Sequence, residues 1–171
     1  MPSLQDNDFA LFGLPEQFAQ DRSVMDARWK ELQREAHPDK FVVQGAAAQR
    51  LAMQWSVRIN EAYQRLKDPL RRASYLCELR GAPIQAETNT AMPTEFLMQQ
   101  MQWREDLDDA RSAEDIEKIL LQGRLNRGMV LQKCEHLLDE TQDYAAAAQQ
   151  VRVLMFITRF MDDAHARLDA L

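Results

Sequence analysis

Two polar residues flanking a proline, His37 and Asp39, are the side chains of this sequence best placed to do chemistry with a partner. The segment His37-Pro38-Asp39-Lys40 lies between two amphipathic runs, residues 21–36 and 46–67. Proline disfavours helical geometry in the residue before it, so the first run should stop at Ala36 and His37 should take extended angles. Proline also fixes its own backbone angle and has no N–H, so the corner is stiff and its side chains have little freedom left to lose on binding. That is the chemistry of a docking knob. By composition the tripeptide turns up in roughly one in a hundred chains of this length, so alone it is equally an ordinary helix-ending turn. An enzyme using His37 and Asp39 as acid and base is the weaker class. The chain has no phosphate-cradling Gly loop, no Gly-x-Ser-x-Gly elbow and no cluster at metal-ligand spacing.

A second constellation lies in residues 94–111. Thr94 can cap a helix whose core stripe is Phe96, Gln100, Trp103, Leu107 and Ala110. Leu97, Met98, Met101, Arg104, Glu105 and Asp108 fall on a separate arc, starting roughly 80° from the core direction and covering about 120°. An apolar patch with two methionines among fixed charges suits adaptable protein binding. The residues alone leave open whether this arc meets another protein or packs inside its own domain.

The positioning elements are helical throughout, which predicts an all-α chain. Residues 8–15 read as one short helix ended by Gly13 and Pro15, with Phe9, Phe12 and Leu14 plugging a helical pair. The run 21–36 has Asp21 as N-cap and a stripe at Met25, Trp29, Leu32 and Ala36. Arg28, Lys30 and Arg34 lie off that stripe, as a solvated face or as a patch steering an acidic partner to the corner. The run 46–67 carries Leu51, Trp55, Ile59, Ala62 and Leu66, so two antiparallel helices would hold the corner at their tip. Asp68-Pro69 ends that run, and residues 70–80 form a further helix.

Residues 81–93 contain Gly81, Pro83 and Pro93 and break every periodicity, marking a linker between residues 1–80 and 94–171. Ser112 caps the next long helix, in which Gly123 and Gly128 would favour a kink or interruption. The last helix starts near Asp143 with a stripe of Tyr144, Ala147, Val151, Leu154, Met161, His165 and Leu168. Val153, Phe156 and Phe160 form a second apolar set; either the helix is buried on two sides or an aromatic extends the Met98–Met101 surface. The C-terminal part is therefore expected to be a three-helix bundle.

Bulk properties narrow the partners. The 171 residues carry a net charge of −6, made of +1 over residues 1–80 and −7 over residues 81–171. An acidic C-terminal part argues against nucleic acid. No apolar run approaches a membrane span and no signal-peptide pattern opens the chain, so no membrane and a cytoplasmic location are expected. Cys77 and Cys134 read as buried reduced thiols, and His136 and His165 as structural histidines. No metal and no cofactor are expected, and a monomer is the default.

The segments Leu32-Gln33-Arg34-Glu35-Ala36-His37-Pro38-Asp39-Lys40-Phe41 and Ile59-Asn60-Glu61-Ala62-Tyr63-Gln64-Arg65-Leu66-Lys67-Asp68-Pro69 together resemble a J-domain, the module that stimulates ATP hydrolysis by DnaK-type chaperones. Many J-domains carry an aromatic residue where this chain has Ala36. Phe96-Leu97-Met98-Gln99-Gln100-Met101-Gln102-Trp103-Arg104-Glu105 after a Pro-containing linker, with Phe12-Gly13-Leu14-Pro15 and Pro69-Leu70-Arg71-Arg72-Ala73, is similar to the HscB family, J-type co-chaperones of iron–sulfur cluster biogenesis. That resemblance implies a non-enzymatic two-site adaptor. His37, Pro38, Asp39, Lys40, Arg28 and Arg34 would engage a HscA-type ATPase chaperone. Leu97, Met98, Met101, Arg104, Glu105, Asp108 and Phe156 would bind the cluster scaffold IscU, with Gln102 standing where relatives carry an acidic residue. The competing readings are a general J-protein presenting other clients and a purely structural helical interaction protein.

Overall fold

The computed structural model describes residues 2–86 and 88–171; Met1 and Glu87, the latter in the expected linker, lie outside the described residues. The described residues are all-helical, with two compact units, residues up to Tyr75 and residues from Leu76 onward. The segment 81–93 thus belongs to the second unit, and a buried side chain explains why. Arg152 donates to the carbonyls of Ile84 at 3.1 Å and Ala91 at 3.2 Å, and Ile84 is buried.

The first unit is built on α1 (Asp8–Phe12), α2 (Arg22–Glu35) and α3 (Ala46–Lys67), with the start of α4 (Pro69–Leu79). Asn7 caps α1 through the N–H of Ala10, and Gly13 ends it at φ 63°, a left-handed angle that costs glycine no Cβ clash. Phe9, Leu11 and Phe12 are buried, with Phe12 stacked on Tyr63 of α3. Asp8 is fully buried too. Its carboxylate is paired with Arg58 at 2.8 Å and Arg65 at 3.3 Å, and its N–H donates to the Tyr75 hydroxyl. Two cations are what make a buried carboxylate tolerable.

Asp21 caps α2 through the N–H groups of Ser23 and Val24, as its position predicts, and hydrogen bonds from Ser23 hold its carboxyl below the ordinary range. Between α2 and α3, the Tyr63 hydroxyl donates to Asp26 at 2.7 Å, while Trp29 stacks on the same ring at 4.5 Å. In α3 the expected stripe needs one correction. Leu51 is 50% exposed at the groove under the corner, and Ala52 is buried in its place.

The second unit contains α5 (Thr94–Asp109), α6 (Ala113–Glu135) and α7 (Tyr144–Asp169), a three-helix bundle in which α6 and α7 form the main pair. Thr94 is not the cap of α5. Pro93 holds that position at φ −55° and ψ 137° and its carbonyl takes the N–H groups of Phe96 and Leu97, leaving Thr94 as the first helical residue. Ser112 caps α6 through the Asp115 N–H. The helix runs unbroken through Gly123 and Gly128, then widens into one π-helical turn, His136–Glu140. Gly123 is kept free of a side chain by close packing, since a Cβ there would lie 3.0 Å from Met161 Cγ. The last helix, α7, is buried on two sides: Val151 and Leu154 with Ile157, and Val153 with Phe160. His165 is exposed, and Ala164 takes the buried position beside it.

Candidate functional site

In the first unit the chain leaves α2 at Ala36, and His37 adopts φ −63° and ψ 127°, the extended geometry its proline neighbour favours. Pro38 then opens a tight 3₁₀ segment, Pro38–Gln44. The His37 Nδ1 accepts the Asp39 N–H at 3.2 Å, and the His37 carbonyl accepts the Lys40 N–H at 3.0 Å. Nδ1 has one lone pair, so that hydrogen bond assigns the ring proton to Nε2 and leaves a donor facing outwards. Asp39 Oδ2 lies 3.7 Å from the same Nδ1, and with Nδ1 accepting the Asp39 N–H the two side chains are neighbours and not an ion pair. The Asp39 side chain is 86% exposed. From below, the Ser56 hydroxyl of α3 donates to the Ala36 carbonyl and Gln33 donates to the Ser56 carbonyl, fastening the end of α2. The corner is therefore fixed in backbone and free at its two side-chain tips.

Of the cations expected around it, Lys30, Arg34 and Lys40 are exposed. Arg28 is already engaged: its Nε donates to the Phe12 carbonyl at 3.0 Å and its NH1 pairs with Glu31 at 2.7 Å. It clamps α1 to α2 and turns only part of its guanidinium outwards. Beneath the corner, Ala36, Phe41, Leu51 and Trp55 line an apolar groove of about 310 Å³.

In the second unit α5 buries Phe96, Trp103 and Leu107 and turns a different face to solvent. Leu97 is 44% exposed, Met98 71% and Met101 75%, and Arg104, Glu105 and Asp108 are exposed beside them. The arc left open between two roles is thus solvent-facing within its unit. Phe156 of α7 is half-buried under Arg104, whose guanidinium carbon lies 5.4 Å from its ring centre. Gln102 donates to Asp106 at 2.9 Å. Periodicity along α5 shows neither that Asp163 of α7 pairs with Arg104 at the rim of this face nor that Phe160, already in the second apolar set of α7, lies buried beneath that guanidinium. The guanidinium stands 5.9 Å from the Phe160 ring and its NH1 3.3 Å from Asp163 Oδ2. Only contacts between helices reveal them.

Cys77 and Cys134 are buried free thiols, and burial pushes them up to about 11 and about 12, far from the reactive thiolate. No group of three potential metal ligands occurs among the described residues, and no helix among them is long and apolar enough to cross a membrane.

Comparison with known proteins gives a consistent picture. A family model described as the HSCB C-terminal oligomerisation domain matches residues 92–165. The co-chaperone protein HscB homologues of Burkholderia cenocepacia and Burkholderia multivorans are each 47% identical over 174 residues, covering 100% of this chain and 99% of theirs. The structure of chaperone HscB from Vibrio cholerae superposes with a TM-score of 0.82 at 34% identity, covering 97% of this chain and 99% of that one. Human co-chaperone HscB shares the fold, with a TM-score of 0.90 at 24% identity over 99% of this chain and 86% of that one.

Proposed function

This chain belongs to the HscB family of co-chaperones, and from that premise we propose that it stimulates the ATPase of a HscA/DnaK-type chaperone and delivers an IscU-type iron–sulfur scaffold to it, in the cytoplasm, assisting cluster assembly or transfer. The observation that carries the reading is the pairing of two unlike exposed surfaces, one in each compact unit. One is the stiff His37-Pro38-Asp39 corner, exposed at both polar tips. The other is the α5 face around Leu97, Met98 and Met101.

The corner, with Lys40, Arg34 and the outward part of Arg28, engages the chaperone's nucleotide-binding part. The His37 Nε2–H donor and the exposed Asp39 carboxylate stand two residues apart on one stiff corner, ready for one acceptor and one donor site on the partner. The α5 face, with Arg104, Glu105, Asp108 and Phe156, binds the scaffold. Carrying both partners on one chain raises the effective concentration of scaffold beside the chaperone without any new contact. The protein itself catalyses nothing; it biases the chaperone's cycle by favouring one of its states.

Steady-state ATP turnover of a HscA-type chaperone tests this, with this protein and IscU added separately and together. Stimulation by both together far beyond either alone, abolished by His37→Gln, is the expected result. Stimulation that needs His37 but ignores IscU would make the chain a J-protein for other clients and remove the scaffold role of the α5 face.

A further inference from the structure

We propose that Asp163 of α7 is a positioning residue of the α5 face, aiming the Arg104 guanidinium and keeping the Asp108 carboxylate open; the inference rests on the reading of that face as the scaffold site. Arg104 is held from two directions. Asp163 Oδ2 lies 3.3 Å from its NH1, at the edge of the guanidinium. On its face, the Phe156 and Phe160 ring centres stand 5.4 Å and 5.9 Å from the guanidinium carbon. Those rings are stacked on each other, 6.0 Å apart and 15° from parallel. Each is wedged against α5, Phe156 by Phe96 at 5.6 Å and Phe160 by Trp103 at 5.5 Å. A guanidinium placed over aromatic rings and tied at its edge has little orientational freedom.

On a lone helix the natural partner of Arg104 is Asp108, one turn further on. Asp163 takes that place. The Asp108 carboxylate makes no ion pair among the described residues, and only its backbone carbonyl is used, accepting from Arg167. Without Asp163, Arg104 would swing to Asp108 and the face would lose a donor fork and an acceptor together. With it, Met101 is flanked by a fixed guanidinium edge and an open carboxylate. That pattern fits a partner presenting one carboxylate and one cation around an apolar centre.

Fixing a long side chain in its bound orientation is worth a factor of about three to ten in affinity, and that factor is what loss of Asp163 removes. The test is calorimetric titration of apo IscU into the full-length chain as wild type, Asp163→Ala, Asp163→Glu, Arg104→Ala and the Asp163→Ala/Arg104→Ala double variant, with Met101→Ala as a control for the face. Asp163→Ala should bind about three- to tenfold more weakly and Asp163→Glu within about twofold of wild type. In the Arg104→Ala background, Asp163→Ala should have no further effect. Melting temperatures should stay within about 3 °C of one another, since a half-exposed ion pair adds little to folding. Unchanged affinity of Asp163→Ala while Met101→Ala weakens binding overturns the inference and leaves the site standing. An equal loss in the Arg104→Ala background also overturns it, because Asp163 would then act without Arg104. Absence of wild-type binding removes the site itself, and the inference with it.

Discussion

The imidazole of His37 is tied to its own corner, its Nδ1 accepting the Asp39 N–H at 3.2 Å. One ring nitrogen holds the turn and the other is left for a partner. His37→Gln removes the outward Nε2–H. Stimulation of chaperone turnover should fall by roughly thirtyfold or more, the loss of about 2 kcal/mol expected for a central interface residue. Helical content should not change, because the 3₁₀ segment keeps its proline start. Circular dichroism beside the ATPase assay separates the two effects.

Ala36 is one of the small side chains lining the groove under the corner. Ala36→Tyr should fill part of its 310 Å³ and stabilise the first unit by about 1 kcal/mol. That corresponds to roughly 4–8 °C in the midpoint of a unit of this size, readable by calorimetry. A lower midpoint would mean that Phe41 and Trp55 cannot move aside for the ring.

As the proposed scaffold site, the α5 face should fail by charge as readily as by truncation. Met101 is 75% exposed, so Met101→Asp leaves folding within about 0.5 kcal/mol of wild type. Placed among apolar partners, the new carboxylate should weaken scaffold binding by about a hundredfold, consistent with a buried unpaired charge. Titration with IscU and urea unfolding read the two quantities separately.

Alkaline pH should unfold the chain through its thiols. Both titrate near 9.0 when exposed, and burial pushes Cys77 to about 11 and Cys134 to about 12 in the folded state. Burial raises the Tyr75 hydroxyl as well. A raised folded-state value means that the folded chain keeps protons the unfolded chain releases. Their contribution is full below pH 9 and is lost as pH climbs through 11–12. Urea midpoints should therefore fall above about pH 9. Iodoacetamide at pH 8 should modify neither thiol until denaturant is added.

The two helical glycines of α6 should respond in opposite ways. Nothing lies within 4 Å of a Cβ at Gly128, so Gly128→Ala should stabilise by about 0.5–1 kcal/mol. At Gly123 the Met161 side chain stands 3.0 Å from that position, and Gly123→Leu should cost about 1–3 kcal/mol by overpacking. Urea denaturation of the two variants checks both signs.

Signals local in the sequence are legible from it alone. The Asp21 and Ser112 caps, the Gly13 stop, the corner and the bounds of α3 each depend on a few neighbouring residues. What stayed hidden depends on contacts between distant segments. Periodicity chose Leu51 over Ala52 and His165 over Ala164 because it gives the phase of a stripe only where one neighbour buries it. Here α7 has two buried sides, and the start of α3 borders the groove under the corner. The burial of Asp8 left no local signal, because its partners Arg58 and Arg65 lie 50 or more residues away in sequence. On the α5 face the arc itself was readable and Asp163 was not, since it enters from another helix.

The chain also has built-in light sources. Of its three tryptophans, Trp29 is stacked on Tyr63 and Trp55 lines the groove under the corner, while Trp103 packs against Phe160 beneath Arg104. Replacing the first two by phenylalanine would leave one emitter, seated behind the α5 face, so occupancy of that face could be followed as a shift in emission without any attached dye.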